Sequence, residues 1–239
     1  MASMNRRKFV GTSAAALGVA SLRLSVWAQI ANGGTSAAFP TLLGVDYYPD
    51  QTPESLWEED ARRISESGLT NVRIAEFAWA LMEPAQGKFD FAWLQRSVDI
   101  LHRNNIGVIL GTPSAAPPPW LSAKYPEILE VNEKGEKLHP GGRRFTCPTN
   151  ATYRRLSLII ATEIAKMFAA HPGVIGWQID NEFTLGSSGR CYCDYCRAGF
   201  QNWLRTKYRS LDLVNQTWGT NFWSQHYSSF AEVLPPRTA

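Results

Sequence analysis

No stretch of the 239 residues offers the roughly 20 consecutive apolar positions of a transmembrane helix, so no stable membrane span is expected. A dense cluster of lysine and arginine interleaved with aromatics is missing too. The pairs Arg143-Arg144 and Arg154-Arg155 are too sparse to form a charged stripe, which removes nucleic acid as an expected partner. Acidic residues are absent from positions 1–28, which hold Arg6, Arg7, Lys8 and Arg23. Taking those four charges from the formal net charge of +3 leaves the remainder at −1, so the basic bias belongs to the leader. Cysteine is scarce: Cys191, Cys193 and Cys196 crowd into one short segment, and Cys147 is the only other. What is plentiful is apolar material, with 44% hydrophobic and 12% aromatic residues, a globular rather than a disordered composition.

The leader reads Asn5-Arg6-Arg7-Lys8-Phe9-Val10, then a mildly apolar stretch from Gly11 to Leu22, then Val26-Trp27-Ala28 as a cleavage candidate. Paired arginines ahead of a weakly hydrophobic segment resemble a bacterial twin-arginine export signal, with an ordinary secretory signal or an anchor as the alternative. Residues 1–28 are therefore expected to export the protein to the periplasm or beyond. Residues 29–41, with Asn32-Gly33-Gly34-Thr35-Ser36, are expected to be a linker, and residues 42–239 the folded part.

Past the linker, short apolar runs alternate with longer amphipathic ones, the pattern of βα units around a parallel sheet. The first strand is expected over Leu42 to Tyr47 and its helix over Pro53 to Ser67, with Thr52 as N-cap, Pro53 at N1 and Gly68 as terminator. A second strand over Asn71 to Phe77 leads through a loop to a helix from Phe91 to Arg103. The third strand, Ile106 to Gly111, is followed by a long excursion from Thr112 to Thr149. A connection of that size in a compact domain is usually functional. A helix from Ala151 to Ala170, capped by Asn150, precedes the fourth strand, Val174 to Ile179. A helix from Arg197 to Tyr208 and an irregular aromatic insertion from Asp212 to Val233 complete the pattern. The fold class is thus α/β, and the chain holds about the first four βα units of a (β/α)8 TIM barrel.

The fourth strand ends in Asp180-Asn181-Glu182, which delivers a carboxylate to the C-terminal rim, where barrel chemistry sits. A retaining glycosidase needs one carboxylic acid to protonate the leaving oxygen and a second carboxylate as nucleophile. Glu182 suits the first role, and the Asn181 amide can hydrogen-bond a sugar 2-hydroxyl. Nine tryptophans, whose flat faces suit pyranose stacking, add weak support. The segments Leu43-Gly44-Val45-Asp46-Tyr47-Tyr48-Pro49, Val72-Arg73-Ile74-Ala75-Glu76-Phe77-Ala78-Trp79 with Glu83-Pro84, Gly87-Lys88-Phe89-Asp90-Phe91 and Trp177-Gln178-Ile179-Asp180-Asn181-Glu182 resemble the N-terminal part of a glycoside hydrolase family 42 β-galactosidase. The resemblance covers nearly all of Leu42 to Pro236. It implies a β-galactoside or oligosaccharide substrate, Glu182 as general acid/base, Asn181 and Arg143 as substrate-binding residues, and a homotrimer as the full-length assembly. It also implies a nucleophilic glutamate on a later strand than this chain contains, so the chain alone is expected to carry half a site. Asp46 and Glu76, at the ends of the first two strands, are expected to bind or orient rather than to attack. The alternatives are another enzyme of the same clan, such as an endo-β-mannanase or β-glucanase, and a non-catalytic sugar-binding or zinc-stapled fragment.

Thiolates spaced as in Cys191, Cys193 and Cys196 can share one tetrahedral zinc with Cys147 as the fourth ligand, brought from the loop after the third strand. Two disulfides are the competing account, and an oxidising destination would permit them. One bridge would then have to close within a very tight loop. The family resemblance implies a metal site here. Four sulfur ligands leave no open position, so the zinc would be structural and would pin two rim loops together.

Overall fold

The computed structural model describes residues 42–183 and 190–237; the expected export signal over 1–28 and the expected linker over 29–41 lie outside the described residues. Four strands, β1 (Gly44–Asp46), β2 (Asn71–Ile74), β3 (Gly107–Gly111) and β4 (Val174–Gln178), pair in chain order as one parallel sheet. Val45 registers with Val72, Val72 with Val108, and Leu110 with Trp177. Parallel neighbours need long crossovers. They are supplied by α1 (Trp57–Glu66), by α2 (Trp79–Met82) with α3 (Ala92–Arg103), and by α4 (Pro119–Lys124) with α5 (Ala151–Phe168). Beyond β4 come α6 (Asp194–Tyr208) and α7 (Leu211–Trp218). This is the arrangement of four consecutive βα units, as the alternating pattern implies. Among the described residues no helix is long and apolar enough to cross a membrane.

The core lies between the sheet and its helices. Strand side chains alternate across the sheet, so Val72 and Ile74 of β2 and Val108 and Leu110 of β3 enter the core together. Leu94, Val98 and Leu101 of α3 repeat at helical spacing, as do Leu156, Ile160, Ile164 and Phe168 of α5, and all join the same cluster. Each such side chain, fully buried, contributes on the order of 1.5–3 kcal/mol. The residues between them, Arg73 and Ile109, belong to the opposite face of the sheet.

Several boundaries differ from those the sequence implies. Pro53 and Thr52 do not begin an α-helix: a 3-10 turn over Glu54–Leu56 comes first, and the Thr52 hydroxyl donates back to the Tyr48 carbonyl instead of capping. The second strand stops at Ile74 because Ala75 takes a left-handed φ of 77°, which ends ladder geometry. The segment read as an irregular insertion contains α7, capped by the Ser210 side chain accepting from Leu213 N–H and closed by Gly219 at φ 64°. The expected cap at Asn150 is present. Its side-chain oxygen accepts from Tyr153 N–H at 3.0 Å and its amide nitrogen donates to the Glu127 carbonyl at 3.1 Å.

Asn150 is fully buried and serves both partners at once. Asn150→Ala should therefore lower stability by about 1–2 kcal/mol. Urea unfolding of the protein measures this, and a change within experimental error would show that α5 does not depend on its cap.

Candidate active site

The rim of β4 is built on unusual backbone. Asp180 and Glu182 both adopt left-handed φ values, 60° and 45°. Non-glycine residues held there cost on the order of 1–3 kcal/mol and persist only where surroundings over-determine them. At Asp180 the surroundings do so from three sides. Its N–H donates to Thr112 Oγ1 at 2.7 Å, its Oδ1 accepts from Asn181 N–H at 2.8 Å, and its Oδ2 accepts from Arg144 Nη1 at 2.9 Å. The turn so fixed leaves the Glu182 side chain half-exposed and buries Asn181.

Glu182 Oε2 lies 2.7 Å from Arg143 Nη2. The Arg143 guanidinium sits 5.8 Å above the Phe77 ring, and Phe77 in turn stacks on Tyr48. Exposed ion pairs add little stability, so this pair is better read as a poised polar group than as a brace. A concavity of about 370 Å³ lies beside it, lined by Phe77, Ala116, Gly142 and Arg143. Three of the expected site residues, Glu182, Asn181 and Arg143, are thus brought to one rim. The Asn181 side chain accepts from Gln178 Nε2 at 3.0 Å, and its own Nδ2 finds no partner among the described residues. A buried donor left unpaired costs about 1–3 kcal/mol.

Asp46 and Glu76 are engaged elsewhere. Arg73 Nη2 reaches Asp46 at 2.6 Å, Arg73 Nε lies 3.2 Å from Glu76, and the Tyr48 hydroxyl donates to Glu76 Oε1 at 3.1 Å. Burial and the Glu76 charge raise the Tyr48 phenol, keeping it a donor. Gly111 permits this arrangement, since a Cβ there would fall 2.5 Å from the Glu76 Cβ. Arg73, Tyr48, Phe77 and Gln178 also stand at this rim, without a motif that marks a role for them in the sequence. The available signal for Arg73 was its place between Val72 and Ile74, a charge on the other face of a buried strand.

The four cysteines converge. All four sulfurs lie within 4.8 Å of one another, with Cys147 3.4 Å from Cys196 and 3.5 Å from Cys193. All are free; a disulfide would require about 2.05 Å. Four sulfurs about 2.3 Å from one tetrahedral metal stand about 3.8 Å apart, so the cluster is compatible with a structural metal. Cys193 is the N-cap of α6 and Cys196 lies in its first turn, where the helix dipole favours thiolate. Val131 N–H donates to Cys191 Sγ at 3.4 Å. Hydrogen bonds from Cys147 and Cys191 hold the Cys196 sulfur below the ordinary thiol range. The cluster joins the loop after β3 to the start of α6, and Tyr192 N–H adds a hydrogen bond to the Val131 carbonyl at 2.8 Å. Glu130, next to Val131 and buried, has its carboxyl pushed up to about 7, first by burial and then by the Cys191 sulfur.

Residues 46–239 match the glycoside hydrolase family 42 profile, described as beta-galactosidase. The β-galactosidase of Thermus thermophilus is 45% identical over 195 residues, which are 82% of this chain and 30% of that protein. BgaA of a Thermus species is 43% identical over the same shares. Among solved structures, β-galactosidase from the psychrophilic Marinomonas ef1 superposes with a TM-score of 0.80 at 38% identity, over 83% of this chain and 30% of its own. The enzyme of the Antarctic haloarchaeon Halorubrum lacusprofundi gives 0.79 at 39% identity over the same shares. The chain spans about 30% of the length of these relatives.

Two outcomes are expected. Metal analysis of the purified protein should find one bound ion per chain, and mercurial titration should release it as four thiols react; two disulfides and no metal would dismiss the cluster as a metal site. The second concerns Glu130. Its folded value, about 7, lies above the ordinary value near 4.3, so the fold favours the protonated carboxyl. That preference contributes stability below about pH 4 and is lost as pH rises through 7. Glu130→Gln, neutral at every pH, should therefore gain stability relative to the unsubstituted protein between pH 5.5 and pH 8, as read by urea unfolding at both. An unchanged difference would mean that the carboxyl is not held protonated.

Proposed function

The chain belongs to glycoside hydrolase family 42, and on that premise we propose that it is the N-terminal, acid-bearing part of a retaining β-galactosidase barrel. One observation carries the reading: Glu182 stands at the rim of β4 with Arg143 on its carboxylate and Asn181 buried beside it. In the first step Glu182 gives its proton to the glycosidic oxygen, while a second carboxylate, on a strand beyond the four described here, attacks the anomeric carbon and forms a galactosyl ester. In the second step Glu182 takes a proton from water, whose oxygen displaces the ester and releases galactose with its configuration retained. Galactosyl hydroxyls that accept the Arg143 N–H groups would free Glu182 to hold the proton it donates. Asn181 Nδ2 would meet the 2-hydroxyl, a contact that strengthens as oxocarbenium character develops.

The metal is zinc in this reading, held by Cys147, Cys191, Cys193 and Cys196. With four sulfur ligands it supplies no Lewis acid to the reaction and serves to clamp the loops that carry Arg143 and Glu182. The proposal extends to a β-galactoside substrate, to a trimeric assembly, as the family resemblance implies, and to export directed by residues 1–28.

The test is the protein with its barrel complete, assayed on a β-galactosyl disaccharide, whose leaving oxygen needs the proton. Glu182→Gln should lower kcat by about 10²–10⁴-fold, with a smaller loss on an aryl galactoside whose leaving group needs no proton. Equal losses on both substrates would remove Glu182 from the acid role, and full activity in the variant would remove the whole assignment.

A further inference from the structure

An asparagine amide is nearly symmetric in shape and opposite in chemistry at its two ends, so its usefulness to a ligand depends on which way it is turned. At Asn181 the backbone is already fixed by its N–H donation to Asp180 Oδ1 at 2.8 Å. The side chain is buried, and its Oδ1 takes a hydrogen bond at 3.0 Å from Gln178 Nε2. No second protein contact orients the amide: Nδ2 has no partner among the described residues. Gln178 Nε2 is thus the one contact on the Asn181 side chain among the described residues, and while it donates to Oδ1 the end left for a ligand is the donor Nδ2.

Gln178 is itself well anchored for this. It is the last residue of β4, registered opposite Gly111, and its carbonyl accepts from Thr112 N–H at 2.9 Å. Thr112 also takes the Asp180 N–H on its hydroxyl. One ladder position therefore aligns both the turn that carries Glu182 and the amide beside it. Gln178 Oε1 is buried and without a partner among the described residues, so Nε2 is the end of this amide that meets Asn181.

We infer that Gln178 is a positioning residue: its amide N–H fixes the orientation of Asn181 so that Asn181 Nδ2 is offered to the sugar 2-hydroxyl. This rests on the β-galactosidase reading above and deepens it. Gln178→Glu keeps the size of the side chain and removes its donor. A carboxylate at 178 accepts only, so the Asn181 amide turns round, gives its Nδ2 to Glu at that position and shows the sugar an acceptor. Gln178→Met, uncharged and of similar length, removes the donor without adding charge.

The experiment compares an aryl β-galactoside with its 2-deoxy analogue on the protein with its barrel complete. Activity of the unsubstituted protein on the galactoside comes first, and its failure would count against the β-galactosidase reading, not against the role of Gln178. In Gln178→Glu, kcat/KM for the galactoside should fall by about 10–100-fold while that for the 2-deoxy analogue changes by less than about 3-fold, and Gln178→Met should fall between. Adding Asn181→Ala to either variant should cost nothing further, since the two residues act as one unit. Equal losses on both substrates would reduce Gln178 to a structural residue, and losses that multiply with Asn181→Ala would show it acting on its own; either result overturns the inference.

Discussion

Asp180 and Glu182 adopt a conformation that side chains disfavour, and the rest of the rim is arranged around holding them there. Thr112, from the end of β3, and Arg144, from the long loop that follows, reach across to Asp180 and supply two of its three contacts. Both come from outside the strand that carries the turn. The position of Glu182 is therefore a property of the β3–β4 pair and its loops, not of the local sequence. The acid role proposed for Glu182 needs this kind of support, because an error of 1 Å in placement is costly to a reaction.

The same two segments meet again at the sulfur cluster. Cys147 follows Arg143 and Arg144 closely on one side, and Cys191, Cys193 and Cys196 follow Glu182 on the other. Salt bridges at the rim are exposed or partly so and would give way to solvent and salt. Sulfur ligation to one ion would not, since each bond is strong and the four close a loop of chain that would otherwise be free. In the proposed reading the weak, exchangeable contacts lie nearest the sugar, and the sulfur ligands of an ion would lie behind them. Helix α6 contributes by starting at Asp194, inside the cluster, so that its first turn carries Cys196. The loop after β3 contributes through Cys147 N–H on the Ile128 carbonyl at 2.7 Å.

Much of this was legible in the chain. The four βα units follow from period and punctuation: Leu94, Val98 and Leu101 on one helix face, Gly68 after α1, Asn150 before α5. The carboxylate at 182 and its amide neighbour are adjacent, three of the four thiols fall in one short segment, and such local signals survive folding. Boundaries set by backbone conformation were not legible. Nothing in Ile74-Ala75-Glu76 announces a left-handed alanine, and Thr52-Pro53 carries a good helix start that the Tyr48 carbonyl overrides by taking the threonine hydroxyl. The helix over Leu211–Trp218 was hidden by the aromatics that follow it, Phe222, Trp223 and Tyr227, although Ser210 and Gly219 are the cap and terminator a helix needs. Pairings between distant segments were the least visible. Gln178 with Asn181 spans one turn, but Arg73 with Asp46, and Arg144 with Asp180, become neighbours only when strands lie side by side.

Charge on the inner face of the sheet follows from those pairings. Arg73 stands between Asp46 and the fully buried Glu76, so one cation answers two carboxylates, and Tyr48 adds a neutral donor to the second. A buried carboxylate without such company would be expensive. Asp46, at the end of β1, and Glu76, just past β2, are both engaged in this way. Arg143 is then not drawn to them and remains the cation facing Glu182, held over Phe77, which itself rests on Tyr48. Tyr48 therefore touches both halves of the arrangement, with its hydroxyl on Glu76 and its ring under Phe77. Through that one side chain the balance of charge at the ends of the first two strands bears on where the arginine opposite Glu182 can stand.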